Sequence, residues 1–111
     1  MNEKDIETLL EWAETEKQYD FRDFVTFIKT KFEQKQKVMI EYNNLKETGV
    51  IVYYSVYYNV RFPDFNFSLC INDIKKGTVL KYITMDSFKK KSECQYHIID
   101  KDGKVFKISC E

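Results

Sequence analysis

The stretch Gly49-Val50-Ile51-Val52-Tyr53-Tyr54-Ser55-Val56-Tyr57-Tyr58-Asn59-Val60 decides the fold, because no other part of the chain is so apolar or so rich in β-formers. β-Branched and aromatic side chains suit a pleated, half-buried surface. Here they fill both alternating sets: Val50, Val52, Tyr54, Val56 and Tyr58 on one face, Ile51, Tyr53 and Tyr57 on the other. The pattern predicts a central β-strand that wants cover on both faces.

Upstream, Val38, Ile40 and Tyr42 alternate with Lys37, Met39 and Glu41 in a first strand, and Asn43 to Gly49 turn the chain into the central one. Downstream, Phe62-Pro63-Asp64 ends it, since proline has no N–H for a ladder and restricts the residue before it. A third strand places Phe65, Phe67, Leu69 and Ile71 on one face and Asn66, Ser68 and Cys70 on the other. The loop Asn72 to Gly77 leads to a fourth, Thr78 to Thr84. Met85 to Ser92 is less regular, with Asp86 as the cap of a short helical turn and Lys89-Lys90-Lys91 as a solvated run. Asp100-Lys101-Asp102-Gly103, between Tyr96-His97-Ile98-Ile99 and Val105-Phe106-Lys107-Ile108, reads as a type I turn with Gly103 left-handed and a bulge after it. The chain therefore closes on a β-hairpin. Asp-x-Asp-Gly also resembles part of a calcium loop, but Ile98 and Ile99 hold the upstream ligand positions and the bidentate acid is missing.

Toward the N-terminus the period becomes helical. Asn2 and Asp5 make an N-terminal capping pattern, and Ile6, Leu9, Leu10 and Ala13 form the apolar stripe of a helix over residues 3 to 17. Glu3, Glu7, Glu11 and Glu14 fall within an arc of roughly 80° beside that stripe, a carboxylate ridge with Trp12 next to it. Asp20 and Asp23 repeat the cap, and Phe21, Phe24, Val25, Ile28 and Phe32 repeat the stripe in a second helix reaching about Gln34. The expected architecture is α+β: two N-terminal helices packed on one face of a mostly antiparallel sheet of about six strands, consecutive strands being neighbours.

The chain has 111 residues, 43% hydrophobic and 32% charged, which fits a single domain with a core of its own. Eight Tyr, nine Phe and one Trp against three Gly and one Pro imply aromatic-dominated packing and short turns. No apolar run approaches the roughly 18 residues of a membrane span and no basic-then-apolar leader opens the sequence, so a cytoplasmic location is expected. Three cysteines at irregular spacing speak for thiols in a reducing compartment. Net charge is zero but unevenly spread: through Asp23 there are eight acids (Glu3, Asp5, Glu7, Glu11, Glu14, Glu16, Asp20, Asp23) against three bases (Lys4, Lys17, Arg22), a balance of −5. The remainder carries +5.

No catalytic constellation is visible. The single histidine, His97, has no nucleophile motif near it, and no glycine-rich phosphate loop occurs. Counting back from a three-residue turn sets Cys94 opposite Cys110 in the final hairpin; two reduced core thiols, a disulfide and half a zinc site all fit. A Cys3His zinc set can be composed of Cys70, Cys94, His97 and Cys110, although residues three apart in one strand point to opposite faces. No cofactor follows beyond that zinc candidate. Tyr53, Tyr57 and Tyr82 suit either packing or stacking on single-stranded bases, without the basic and glycine-rich signature that usually frames such aromatics.

Shortness, an Ile/Lys/Asn/Phe/Tyr-rich vocabulary, an acidic segment and the lack of an enzyme motif together give a chain that resembles the small anti-defence proteins of phages and mobile elements of low-GC bacteria, anti-CRISPR inhibitors of Cas nucleases among them. The resemblance covers the whole chain and rests on no motif, so no family residue is carried over. It implies a non-enzymatic inhibitor that binds a larger basic partner such as a Cas9-type nuclease, with Glu3, Glu7, Glu11, Glu14 and Trp12 as the expected contact residues. The same description fits toxin-immunity proteins and other small binding proteins.

Overall fold

The computed structural model describes residues 19–59 and 64–111. The expected helix over 3 to 17, and with it Glu3, Glu7, Glu11, Glu14 and Trp12, lies outside the described residues. The second expected helix is α1, Tyr19–Glu33, followed by β1 Lys37–Tyr42, β2 Leu45–Asn59, β3 Asp64–Ile71, β4 Gly77–Ile83, a 3₁₀ turn Met85–Ser87, β5 Phe88–Ser92, β6 Gln95–Ile99 and β7 Val105–Cys110. The α+β class stands, with seven strands among the described residues in place of about six. All seven pair antiparallel in one sheet, in the order β4-β3-β2-β1-β7-β6-β5.

Consecutive strands are neighbours with one exception, and that exception together with one long-range pairing shapes the molecule. β7 returns to pair with β1, Ile40 opposite Ile108. β4 and β5 are consecutive in sequence yet stand at opposite ends of the strand order. Only Thr84 and the turn Met85–Ser87 join them, so the sheet must curl until its two edges approach each other. The extents of 33 × 31 × 28 Å agree with a curled sheet and exclude a flat one.

The helix fills the concavity. Phe21, Phe24, Val25 and Ile28 of the stripe read from the sequence are buried, joined by Phe27, whereas Phe32 in the last turn is exposed. Phe21 meets Phe65 of β3 and Phe88 of β5 at 4.7 and 4.9 Å between ring centroids. Phe24 meets Phe67, Phe88 and Tyr96 at 5.3, 5.1 and 5.8 Å, in tilted and edge-on geometries that favour aromatic quadrupoles. Rings from both ends of the curled sheet thus converge on one helix face.

Three local expectations are corrected. The connection from β1 to β2 is the two-residue turn Asn43-Asn44, both with positive φ (54° and 65°), so β2 begins at Leu45 and not after Gly49. Asparagine tolerates that conformation, and such turns match strand twist. A bulge between Ile51 and Tyr53 breaks the strict alternation of β2. Ile51 and Val56 face inward at 2% and 1% exposure, whereas Tyr53 and Tyr57 face outward at 40% and 62%. The expected cover on both faces is therefore absent at these tyrosines among the described residues. Finally, Phe88–Ser92 is a strand, and Lys90 is not part of a solvated run. Its backbone N–H donates to Asp20 Oδ2 at 3.1 Å, and its Nζ reaches Asp23 Oδ2 at 2.9 Å and Glu93 Oε1 at 3.2 Å. The edge of β5 is closed by two helix carboxylates that the capping pattern had picked out.

Candidate functional site: the outer face of the sheet

The outer face divides into two halves of different chemistry. On β2 and β3, cross-strand register sets Tyr57 opposite Asn66, Ser55 opposite Ser68 and Tyr53 opposite Cys70, and Ser68 in turn faces Val79 of β4. Tyr53, Tyr57 and Val79 are exposed and Ser55, Asn66 and Ser68 half-buried. No charged residue belongs to this set. The tyrosines are held out because Val56, Phe65, Phe67 and Leu69, the alternate residues of the same strands, are locked into the core. Beside the patch, the Tyr82 backbone N–H donates to Asn66 Oδ1 at 3.3 Å, and Lys101 Nζ lies 5.3 Å from the centre of the Tyr82 ring.

The other half is basic. A row in register across β5, β6, β7, β1 and β2 reads Lys89, His97, Lys107, Glu41, Lys46. Lys91 adds its charge beside His97. Glu41 stands directly opposite both Lys107 and Lys46, so part of the positive charge is answered within the row. His97 sits among the lysines, its Nε2 buried with no hydrogen-bond partner. Burial first, then the charges of Lys91 and Lys107, holds its pKa below the usual 6.5. The ring is neutral at pH 7.

Among the described residues, the depressions on these strands are shallow and small. The depression lined by Met39, Glu41, Lys46, Thr48, Gln95 and Lys107 holds about 130 Å³. Another, between Tyr42, Leu45 and Thr78, holds about 260 Å³. Both fall below the roughly 300–1,000 Å³ of ordinary small-molecule sites. The one strong polar contact near them is structural: Tyr42 Oη donates to Asp100 Oδ2 at 2.5 Å and pins the β6–β7 turn to β1. That bond, then burial and the charges of Asp100 and Asp102, pushes the Tyr42 pKa up to about 12. Burial acts to raise the Asp100 pKa, but hydrogen bonds from Tyr42 and from the Lys104 and Asp102 backbones outweigh it and leave it below the usual carboxylate value.

Of the zinc candidates, Cys94 and Cys110 come together, with the Cys110 N–H donating to the Cys94 carbonyl at 2.9 Å. Cys94 is exposed and Cys110 half-buried, so the pair is not the buried one that a core reading requires. His97 points to the opposite face, as strand alternation demands. Cys70 lies on β3, its Sγ donating to the Ile74 carbonyl at 3.5 Å. The set Cys70, Cys94, His97 and Cys110 is therefore not assembled, and among the described residues no three or more His, Cys, Asp or Glu side chains are grouped to hold a metal.

Strict alternation places Tyr53 on the same face as Ile51. A bulge, invisible in the periodicity, separates them. No helix among the described residues is long and apolar enough to cross a membrane. The chain matches no protein-family model, no curated protein and no solved structure with which it was compared.

Proposed function

We propose that this chain acts by binding and not by chemistry: a non-enzymatic inhibitor of a larger protein, of the anti-CRISPR kind directed at a Cas9-type nuclease. The observation that carries this reading is the uncharged patch of Tyr53, Ser55, Tyr57, Asn66 and Ser68 on a rigid sheet. Tyrosine offers a large amphipathic contact at low entropic cost, and serine and asparagine add adaptable hydrogen bonds; the recognition loops of antibodies are rich in the same three residues. The acidic first segment supplies charge. Asp20 and Asp23 are spent on Lys90, which leaves Glu3, Asp5, Glu7, Glu11, Glu14 and Glu16 against Lys4 and Lys17 for steering toward a basic partner surface.

A second reading, single-stranded nucleic acid on the outer face, is favoured by the adjacency of lysines to exposed tyrosines. Glu41 within the lysine row weighs against it, since a carboxylate there repels phosphate.

The test measures binding of the purified chain to a candidate nuclease and inhibition of its cleavage. Tyr53→Ala with Tyr57→Ala should weaken binding on the order of 100-fold. Reversal of Glu7, Glu11 and Glu14 to lysine should slow association and remove most of its salt dependence. If the parent instead binds single-stranded oligonucleotide with an affinity falling steeply in salt, and ignores the nuclease, the second reading replaces the first.

A further inference from the structure

We propose that Cys94 and Cys110 are a dithiol–disulfide site that takes small disulfides of the glutathione class as its oxidant. The turn at Asp100 to Gly103 sets the register of the hairpin. Asp100 donates its N–H to the Lys104 carbonyl at 2.8 Å, and the register pairs Ile98 with Phe106 and Tyr96 with Ile108; one step further the Cys110 N–H donates to the Cys94 carbonyl at 2.9 Å, while the Cys94 N–H turns to Ser92 Oγ at 3.2 Å. Residues that face each other across an antiparallel pair have Cα atoms roughly 4.5–5.5 Å apart, inside the roughly 4.4–6.8 Å that a disulfide spans. Their side chains leave the sheet on one face.

Access is asymmetric in a way that suits the exchange. Cys94 is exposed and Cys110 half-buried, so Cys94 meets a solution disulfide first. Its thiolate attacks one sulfur of the glutathione disulfide, releasing one glutathione thiol and leaving Cys94 in a mixed disulfide. The Cys110 thiolate then attacks Cys94 Sγ, forms the Cys94–Cys110 bond and expels the second glutathione. The two protons lost by the protein end on the two glutathione thiols, and two electrons pass from protein to glutathione. The third thiol, on buried Cys70, is bonded to the Ile74 carbonyl elsewhere in the sheet and takes no part. The hydrogen bond to Cys110, then burial, pushes the Cys94 pKa up, while Lys31 at the end of α1 pulls the other way. The exchange should therefore accelerate as pH rises above neutral.

The bond would tie β6 to β7 at the end of the hairpin away from its turn, in a row that continues to Val38 of β1. Closing a loop of this size constrains the unfolded chain, and Tm should rise by roughly 10 °C.

The experiment treats the full chain with oxidised glutathione, unfolds it in iodoacetamide and weighs it. One alkylated cysteine, at Cys70, in place of three, a linked peptide joining Cys94 to Cys110, a monomer on a non-reducing gel and a Tm gain reversed by dithiothreitol are expected. Cys110→Ser should stop at a stable glutathione adduct on Cys94, and Cys94→Ser should resist modification while melting where the reduced parent does. Three alkylated cysteines after oxidation, a covalent dimer through Cys94, or a bridge that includes Cys70 would each overturn the proposal.

Discussion

The two faces of β2 use nearly the same apolar vocabulary for opposite ends. Inward, Ile51 and Val56 join Phe65, Phe67 and the rings of α1 in a core that buries no charged side chain among the described residues. Outward, Tyr53 and Tyr57 keep their hydroxyls in water and their rings on the surface. The difference lies in what completes each side chain. Isoleucine and phenylalanine gain only by leaving water, whereas tyrosine gains from an apolar neighbour on one side and a wet or polar one on the other. One face is stability, and the other is available for contact.

That division predicts unequal costs of truncation. Phe24 is fully buried among Phe67, Phe88 and Tyr96, so Phe24→Ala should cost about 3–5 kcal/mol. Against a total of roughly 5–15 kcal/mol this approaches global unfolding. Urea denaturation reads it, and an unchanged midpoint would mean that the inner face is not the cohesive one.

Gly49, where β2 bends from β1 toward β3, sharpens the comparison. The Asn72 side chain extends the ladder there, accepting the Val50 N–H at 3.2 Å and donating to the Thr48 carbonyl at 3.1 Å. A Cβ on Gly49 would stand 2.1 Å from Asn72 Oδ1. Gly49→Ala must displace that amide and lose two hydrogen bonds, a cost of about 1–2 kcal/mol. With Asn72→Ala already in place the same change should be nearly neutral, and a full cost in that background would show that Asn72 is not the obstacle.

On the outer face, Tyr53→Ala and Tyr57→Ala should each move stability by less than about 1 kcal/mol while abolishing most of the proposed binding. A large loss of stability would mean that the patch belongs to the fold.

The smallest effect is a pH dependence. The folded pKa of His97 lies below 6.5, so the unfolded chain takes up a proton that the folded chain resists. Stability from this source is fully present above pH 6.5 and declines as the pH falls from there toward the lower folded value. Denaturation midpoints on either side of that window should differ more for the parent than for His97→Gln, and equal differences would remove the effect.

Read alone, the sequence determined what neighbours along the chain decide. The stripe Phe21, Phe24, Val25, Ile28 gave the buried face of α1, and Asp100 to Gly103 gave the turn that brings Cys94 opposite Cys110. Both follow from periodicity and turn chemistry within a few residues. Tertiary structure alone decided the rest. Phe88–Ser92 looks too charged for a strand facing a core, but Asp20 and Asp23, which satisfy Lys90, arrive from 70 and 67 residues away. The return of β7 to β1 and the bulge that turns Tyr53 outward likewise depend on partner strands. A strand's face is set by the ladder it joins, and no local period records which ladder that will be.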